Sequence, residues 1–222
     1  MKRFAINRLQ EWKEDPNRLP MIIRGARQVG KTWLMQEFGR TAFERCAYIN
    51  FDRNERMQHL FSGDFDVDRI LRGLAIESGV EIDPESTLII LDEIQEVPAA
   101  LQSLKYFCED NRHNYYILAA GSLLGIAMHE GTSFPVGKVD SMELYPLSFT
   151  EFLSATGNEQ LLALLEQRDF EMITAFRDKY IDLLRTYYYV GGMPAAVNAY
   201  LPKQNLAAVR RVQLRLISIN LG

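Results

Sequence analysis

The chain is poor in the residues that build disulfide frameworks and metal sites. Its 222 residues include two cysteines and three histidines, and none of them stand at the short spacings typical of metal ligands. We expect the thiols of Cys46 and Cys108 to be reduced and buried. Because His59, His113 and His129 are scattered, protein side chains alone are not expected to form a metal site.

Long apolar runs and an excess of positive charge are also missing. No apolar run reaches the roughly 18 residues that suggest a membrane span, and Met1–Phe4 does not begin a secretory signal. We therefore expect a cytoplasmic protein without a membrane partner. The net charge is −4, whereas proteins that mainly grip a phosphate backbone are usually basic, so composition does not support duplex binding.

What the chain does have is an alternation of apolar runs and helical patterns up to about Leu147. This alternation predicts a P-loop NTPase fold of the α/β class, three layers (α/β/α) around a parallel five-stranded sheet. The predicted strands are Pro20–Arg24, Cys46–Phe51, Thr87–Leu91, Tyr115–Ala120 and Met142–Leu144. The predicted helices are one carrying Ala5, Leu9 and Trp12, one at Lys31–Phe38 that stops at Gly39, one at Val67–Ser78 with Ile76 on its apolar surface, and one from Pro98.

Two other segments are predicted differently. Residues 52–65 are polar and are expected to be irregular, and 125–138 is expected to be a glycine-containing loop. Beyond residue 147 only helices are predicted, and Ser148 with Glu151 fits a capping box at the first of them. The predicted organisation is a P-loop ATPase core at 1–147 and a small helical lid domain at 148–222.

The clearest motif follows the first predicted strand. It matches the pattern G-x-x-x-x-G-K-[ST] completely and lies between a strand and a helix. Glycines let the backbone turn tightly so that N–H groups point at an anion, and the helix N-terminus adds positive charge. The alternative, an ordinary Gly-rich turn, is disfavoured by the complete match. The motif consists of Gly25, Ala26, Arg27, Gln28, Val29, Gly30, Lys31 and Thr32.

Four side chains have predicted roles in binding and hydrolysing ATP with Mg²⁺. Lys31 would carry an ammonium to the β- and γ-phosphates, and the Thr32 hydroxyl would ligate the metal. Asp92 and Glu93 follow the apolar run Leu88–Leu91, where a parallel strand reaches the ligand edge of a sheet. Asp92 would hold Mg²⁺ and Glu93 would polarise the attacking water. Alone, this acidic pair could simply cap the next helix, but after a complete P-loop it favours hydrolysis.

The type of nucleotide is indicated by what accompanies these motifs. The chain contains no Asn-Lys-x-Asp motif, which GTPases use to recognise guanine. Small-molecule kinases do not need a hydrolytic glutamate beside the magnesium aspartate. An additional catalytic strand between the P-loop strand and the Asp92 strand also fits the ATPase group.

Two further positions have weaker signals. Ser122 follows the strand Tyr115–Ala120, where AAA-type sheets carry a polar residue that positions the water or the γ-phosphate. A helix N-cap serine explains Ser122 equally well. Pro194 follows Gly191 and Gly192, and a proline in the first turn of a helix is the interpretation that chemistry alone favours.

Together these sites resemble a prokaryotic group of AAA-type P-loop ATPases, many of which continue into a C-terminal domain of unknown function. The resemblance covers nearly the whole chain. The matching segments are Ile23–Leu34, Leu91–Pro98, Ala120–Gly125, Ser133–Lys138, Tyr145–Phe149 and Val190–Pro194.

The resemblance implies two more nucleotide contacts. The group is similar to the STAND signal-transduction ATPases, whose helical domain carries a Gly-x-Pro signature that contacts nucleotide. Gly192–Pro194 matches that signature, so Pro194 becomes a candidate contact, and Trp33 within the matched P-loop segment joins it. Because members of the group are usually longer, this chain is expected to be the N-terminal ATPase fragment.

The sequence is compatible with three functional classes: an ATP-hydrolysing switch, a module that uses nucleotide as a structural ligand, and a nucleic-acid-directed ATPase. No arginine is identifiable as a finger; Arg24, Arg27 and Lys138 are better explained as surface charge. Slow turnover that depends on a homo-oligomer or an activating protein partner is therefore expected. A nucleic acid partner has only a short basic face in its favour, formed by Arg210, Arg211 and Arg215.

Overall fold

The chain folds into two compact units in a computed structural model. The sheet unit comprises Ala5–Ala26 and Gly30–Leu144. The helical unit comprises Met1–Phe4, Arg27–Val29 and Tyr145–Gly222. The residues that the structure describes are 1–110, 112–121, 135 and 137–220.

A five-stranded parallel sheet forms the centre of the sheet unit. The strand order is β2-β3-β4-β1-β5, and each neighbouring pair runs in the same direction. This sheet and its flanking helices confirm the predicted α/β fold class. The strands are β1 (Met21–Arg24), β2 (Arg45–Asn50), β3 (Thr87–Asp92), β4 (Tyr116–Ala120) and β5 (Asp140–Glu143).

Helices lie between successive strands from β1 to β4, as the alternating pattern predicts. Every residue of β3 is buried, as expected of a parallel strand that is covered on both faces. Ile89 and Leu91 lie in a large apolar core with Ile70 and Leu74, and each such side chain stabilises the fold by about 1.5–3 kcal/mol. The helices of this unit are α1 (Ala5–Glu14), α2 (Lys31–Ala42), α3 (Glu55–Phe61), α4 (Val67–Ser78) and α5 (Pro98–Glu109).

Four expectations within the sheet unit are wrong. Cys46 and Cys108, expected to be buried, are only partly buried. Helix α2 does not stop at Gly39 but continues to Ala42, and the glycine is needed because a Cβ there would lie 2.7 Å from Cys46 Sγ. Residues 52–65 include helix α3, whose first turn is capped by the Asn54 side chain. Ile76, predicted to supply apolar surface, is 83% exposed.

Strand order brings two chemically important chain segments to one edge of the sheet. β4 pairs with β1 on one side and with β3 on the other, which confirms the expected additional strand. Ala120 is in register with both Ile23 and Asp92. The loop that follows β1 and the carboxylate at the end of β3 therefore lie at the same carboxyl edge.

Among its described residues the helical unit contains helices and turns but no strand. The capping box of Ser148 and Glu151 is present in full, which confirms that prediction. Phe152, Val190 and Val197 contribute to one of its apolar clusters. The helices are α6 (Phe149–Ala155), α7 (Glu159–Gln167), α8 (Phe170–Ala175), α9 (Arg177–Val190), α10 (Pro194–Tyr200) and α11 (Leu206–Asn220).

A close backbone contact inside the helical unit explains one of its glycines. The Leu147 N–H donates to the Gly192 carbonyl at 2.7 Å, and the Tyr187 hydroxyl donates to the Leu147 carbonyl at 2.7 Å. A Cβ on Gly192 would clash with that same carbonyl oxygen. Gly192 is therefore required by packing.

In the part of the chain that the structure describes, no helix has both the length and the apolar character needed to cross a bilayer.

Candidate functional site

The P-loop backbone has the unusual conformation that anion-binding loops require. Three of its residues have positive φ: Gly25 (146°), Gln28 (63°) and Gly30 (98°). Glycine adopts such angles without a Cβ penalty, whereas Gln28 is held in the left-handed region that non-glycine residues rarely adopt. The loop tip at 26–28 is exposed, and Val29 is buried. Strained backbone of this kind is concentrated at functional sites.

Helix α2 begins directly after this loop and offers its N-terminus to a ligand. Gly30 is the N-cap, and among the described residues no side chain caps the helix there. The first N–H groups of a helix have no partners within the helix, and they favour anions. Trp33, in the first turn, is 40% exposed and stays a predicted nucleotide contact.

The Lys31 ammonium is buried within the loop that precedes it. Lys31 is 6% exposed, and its Nζ donates to the carbonyl oxygens of Gly25 at 2.8 Å and Ala26 at 2.9 Å. A lysine head on a flexible stem can exchange such neutral acceptors for phosphate oxygens. The structure therefore places the predicted cation within the P-loop, and its contact with phosphate stays a prediction.

Thr32 and Asp92, the two predicted metal ligands, are in direct contact. The Thr32 hydroxyl donates to Asp92 Oδ2 at 2.7 Å, although the residues are 60 positions apart. Asp92 is 2% exposed at the end of β3. A hydroxyl and a carboxylate oxygen are hard ligands that suit Mg²⁺, which is commonly bound by one or two protein groups together with phosphates. The observed donor set fits that ion.

Tyr48 is a site residue that the sequence analysis missed. Its hydroxyl donates to the same Asp92 Oδ2 at 3.0 Å. β2 pairs with β3 so that Asn50 is opposite Asp92, and Tyr48, two residues earlier, has its side chain on the same face. Burial, followed by the nearby Asp92 carboxylate, raises the pKa of Tyr48 well above its ordinary value. The phenol therefore stays protonated and continues to donate.

Glu93 is held by a second residue that was not predicted. Its φ of 53° and ψ of 42° are left-handed, and its Oε2 accepts a hydrogen bond from Gln95 Nε2 at 2.6 Å. Gln95 Oε1 is buried with no hydrogen-bond partner among the described residues. The segment after β3 thus combines backbone strain with an oriented carboxylate, a combination that often marks functional positions.

Other predicted positions are placed as follows. Pro194 lies in the first turn of α10, as expected of a helix-starting proline, and its contact with nucleotide stays a prediction. Ser122 and most of the predicted loop at 125–138 lie outside the described residues. Arg24 pairs with Glu143 at 3.5 Å, and Lys138 pairs with Glu109 at 3.1 Å.

Sequence comparison extends this picture beyond the motifs. A family model described as an AAA domain matches residues 17–153, which is more than half of the chain. The chain belongs to the AAA domain family. This membership, with the complete P-loop, supports nucleotide binding of the ATPase type. No curated protein matches the sequence.

Several solved structures resemble the chain at low sequence identity. Drosophila ORC bound to DNA matches with a TM-score of 0.54 and 15% identity, over 94% of this chain and 60% of the other. C. elegans PCH-2 matches with 0.46 and 16%, over 98% and 66%. The Aeropyrum pernix ORC1 protein in complex with DNA matches with 0.44 and 15%, over 95% and 59%. At these identities the likeness to ORC shows the fold alone, and this chain spans less than two thirds of each relative.

Proposed function

We propose that the chain binds ATP with Mg²⁺ and hydrolyses it to drive a conformational switch. The observation that carries the proposal is the contact of Thr32 with Asp92 beside the buried Lys31. Residues from the P-loop and from β3 meet there in the combination that binds a metal and a phosphate together. Mg²⁺, when bound, would neutralise phosphate charge.

The residues of the chain divide the work in this proposal. The loop N–H groups and Lys31 bind the phosphates, while Thr32 and Asp92 hold the metal. Tyr48 orients Asp92 through its hydrogen bond. Glu93 accepts a proton from the attacking water or orients it, and Gln95 fixes the direction of that carboxylate. Residues 148–222 act as the lid domain.

Calorimetric titration of MgATP into the chain and into Lys31→Ala tests the binding step. We expect saturable binding to the unchanged chain and a loss of at least about 100-fold in the variant, because a charge-assisted contact with phosphate is removed. Lack of binding by the folded, unchanged chain would contradict the proposal.

Glu93→Gln separates hydrolysis from mere nucleotide binding. If Glu93 activates the water, phosphate release should fall by about 100-fold or more, while MgATP affinity stays within a few-fold. Phosphate release at the same rate in both proteins would favour the alternative in which nucleotide is a structural ligand. Measuring turnover across a range of protein concentrations tests whether a homo-oligomer or a partner is needed.

A further inference from the structure

A buried arginine near the N-terminus holds the P-loop from outside the motif. Arg3 is 4% exposed and belongs to the helical unit together with Val29, Tyr145 and Glu151. Its Nη1 donates to the Val29 carbonyl at 2.9 Å, its Nη2 to the Tyr145 carbonyl at 2.6 Å, and its Nε to Glu151 Oε1 at 3.1 Å. One planar guanidinium therefore fixes three acceptors at once.

The carboxylate of Glu151 likewise accepts three hydrogen bonds, one of them from Arg3. Its Oε1 also accepts from the Phe4 N–H at 2.8 Å, and its Oε2 accepts from the Ser148 N–H at 2.9 Å. Glu151 is 6% exposed, so both partners of the ion pair have lost most of their water. A buried ion pair costs desolvation energy and is often no more stabilising than apolar side chains of similar volume. Its presence here therefore calls for a role besides stability.

The geometry of the peptide bond indicates that role. The Val29 carbonyl and the Gly30 N–H belong to one planar trans peptide unit, so they point in opposite directions. Holding the carbonyl toward Arg3 turns the Gly30 N–H away from it. Gly30 is a motif glycine with a φ of 98° and forms the N-cap of α2. Because Gly30 has no Cβ, a fixed partner on the preceding carbonyl restricts a peptide that would otherwise rotate easily.

We propose that Arg3 is a positioning residue that presets the P-loop for nucleotide by fixing the Val29–Gly30 peptide. This inference rests on the proposed nucleotide-binding function. Glu151 keeps Arg3 in place and balances its charge, and Arg3 itself does not touch the nucleotide.

Single and double substitutions of Arg3 and Glu151 separate an effect on nucleotide affinity from an effect on folding stability. Arg3→Met should weaken MgATP binding about tenfold, the factor that corresponds to the lower end of the range for a hydrogen bond from a charged donor, and it should also lower the urea midpoint of unfolding. Arg3→Met combined with Glu151→Gln removes both charges, so the urea midpoint should recover. Binding should nevertheless stay about tenfold weaker, because the Val29 carbonyl still lacks its donor.

Two further single variants are compared with these. Glu151→Gln keeps Arg3 as a donor to Val29, so binding should stay within about twofold of the unchanged chain even though the urea midpoint falls. Arg3→Lys keeps the charge and the fold but lacks the three-way fork, so it should weaken binding without a large loss of stability. Arg185→Met, which breaks an exposed pair with Asp182, is the control and should change neither quantity appreciably.

Each outcome bears on the inference. If affinity recovers together with stability in the double variant, or if Glu151→Gln weakens binding as much as Arg3→Met, Arg3 is only structural and the inference is overturned. If the unchanged chain itself fails to bind MgATP, the proposed function fails, and the inference fails with it. Normal binding by the unchanged chain together with normal binding by Arg3→Lys and Arg3→Met would overturn the inference alone.

Discussion

The P-loop is held by two buried cations that differ in how firmly they are fixed. Lys31 donates to the carbonyls of Gly25 and Ala26 from a flexible stem with one ammonium. Arg3 donates to the carbonyl of Val29 from a rigid fork that also binds Glu151. A lysine can leave neutral carbonyls for a phosphate at little cost, whereas an arginine locked to a carboxylate cannot. Lys31 is thus a cation that can exchange its carbonyl partners for a ligand, whereas Arg3 keeps the loop in shape.

The largest expected difference between the two cations is in folding stability. Arg3→Met leaves Glu151 as a buried charge without its partner and should lower the free energy of unfolding by about 3–5 kcal/mol. Lys31→Met also removes two hydrogen bonds, but it relieves the desolvation of an ammonium, so the change should be about 1 kcal/mol or less. Urea unfolding of both variants without nucleotide measures this. Equal losses would remove the distinction.

Gly192→Ala tests whether the packing around Leu147 contributes as much to folding stability as the ion pair of Arg3 and Glu151, which belongs to the same unit. A Cβ would clash with the Leu147 carbonyl, which also accepts from Tyr187. We expect a loss of about 1–3 kcal/mol in unfolding free energy. Gly157→Ala is the matched control, because Gly157 has a φ of 77° but open space around its Cβ position. It should cost only the left-handed penalty of about 1 kcal/mol. A Gly192→Ala variant that is as stable as the unchanged chain would contradict the clash.

Tyr48→Phe sharpens the comparison at the metal side of the site. Loss of the hydrogen bond that orients Asp92 should weaken the free energy of MgATP binding by about 1 kcal/mol, which corresponds to a roughly fivefold weaker affinity. Affinity for ATP measured in excess chelator should not change, because the tyrosine acts through the metal ligand. Calorimetry under both conditions checks this, and an equal loss without Mg²⁺ would show that Tyr48 supports the loop instead.

The smallest effect is expected from an exposed ion cluster, which contrasts with the buried pair of Arg3 and Glu151. Arg112 lies 2.8 Å from Asp68 and 2.9 Å from Asp110, and it holds the pKa of both carboxyls below their ordinary value of 3.8. A carboxyl whose pKa is lowered in the folded state stabilises the fold at pH values above its ordinary pKa. That stabilisation is lost as the pH falls through the lowered pKa.

Arg112→Gln should therefore be slightly less stable than the unchanged chain at pH 6, and the difference should disappear as the pH falls below 3.8. Urea midpoints of both proteins, measured between pH 6 and about pH 2.5, test this pH dependence. A difference that persists or grows in acid would mean that Arg112 contributes through packing and not through its charge.

Much of the fold could be predicted because the signals are local. The apolar run of β3 and the limits of α4 at Val67 and Ser78 follow from spacing along a few residues. The local pattern is misleading at Gly39, because a glycine near a helix end resembles a stop signal. A glycine stands there because Cys46 approaches from the next strand. Local patterns carry no information about such a neighbour.

By itself the sequence determined the P-loop, the acidic pair after β3 and the alternation that requires a parallel sheet, since each depends on residues close together in the chain. The tertiary structure decided which distant side chains support them. Tyr48 and Asp92 are 44 positions apart, and Arg3 and Glu151 are 148 apart. Such pairs depend on strand order and on how the N-terminal segment packs, and a buried polar group reveals its partner only when the fold has removed water from both.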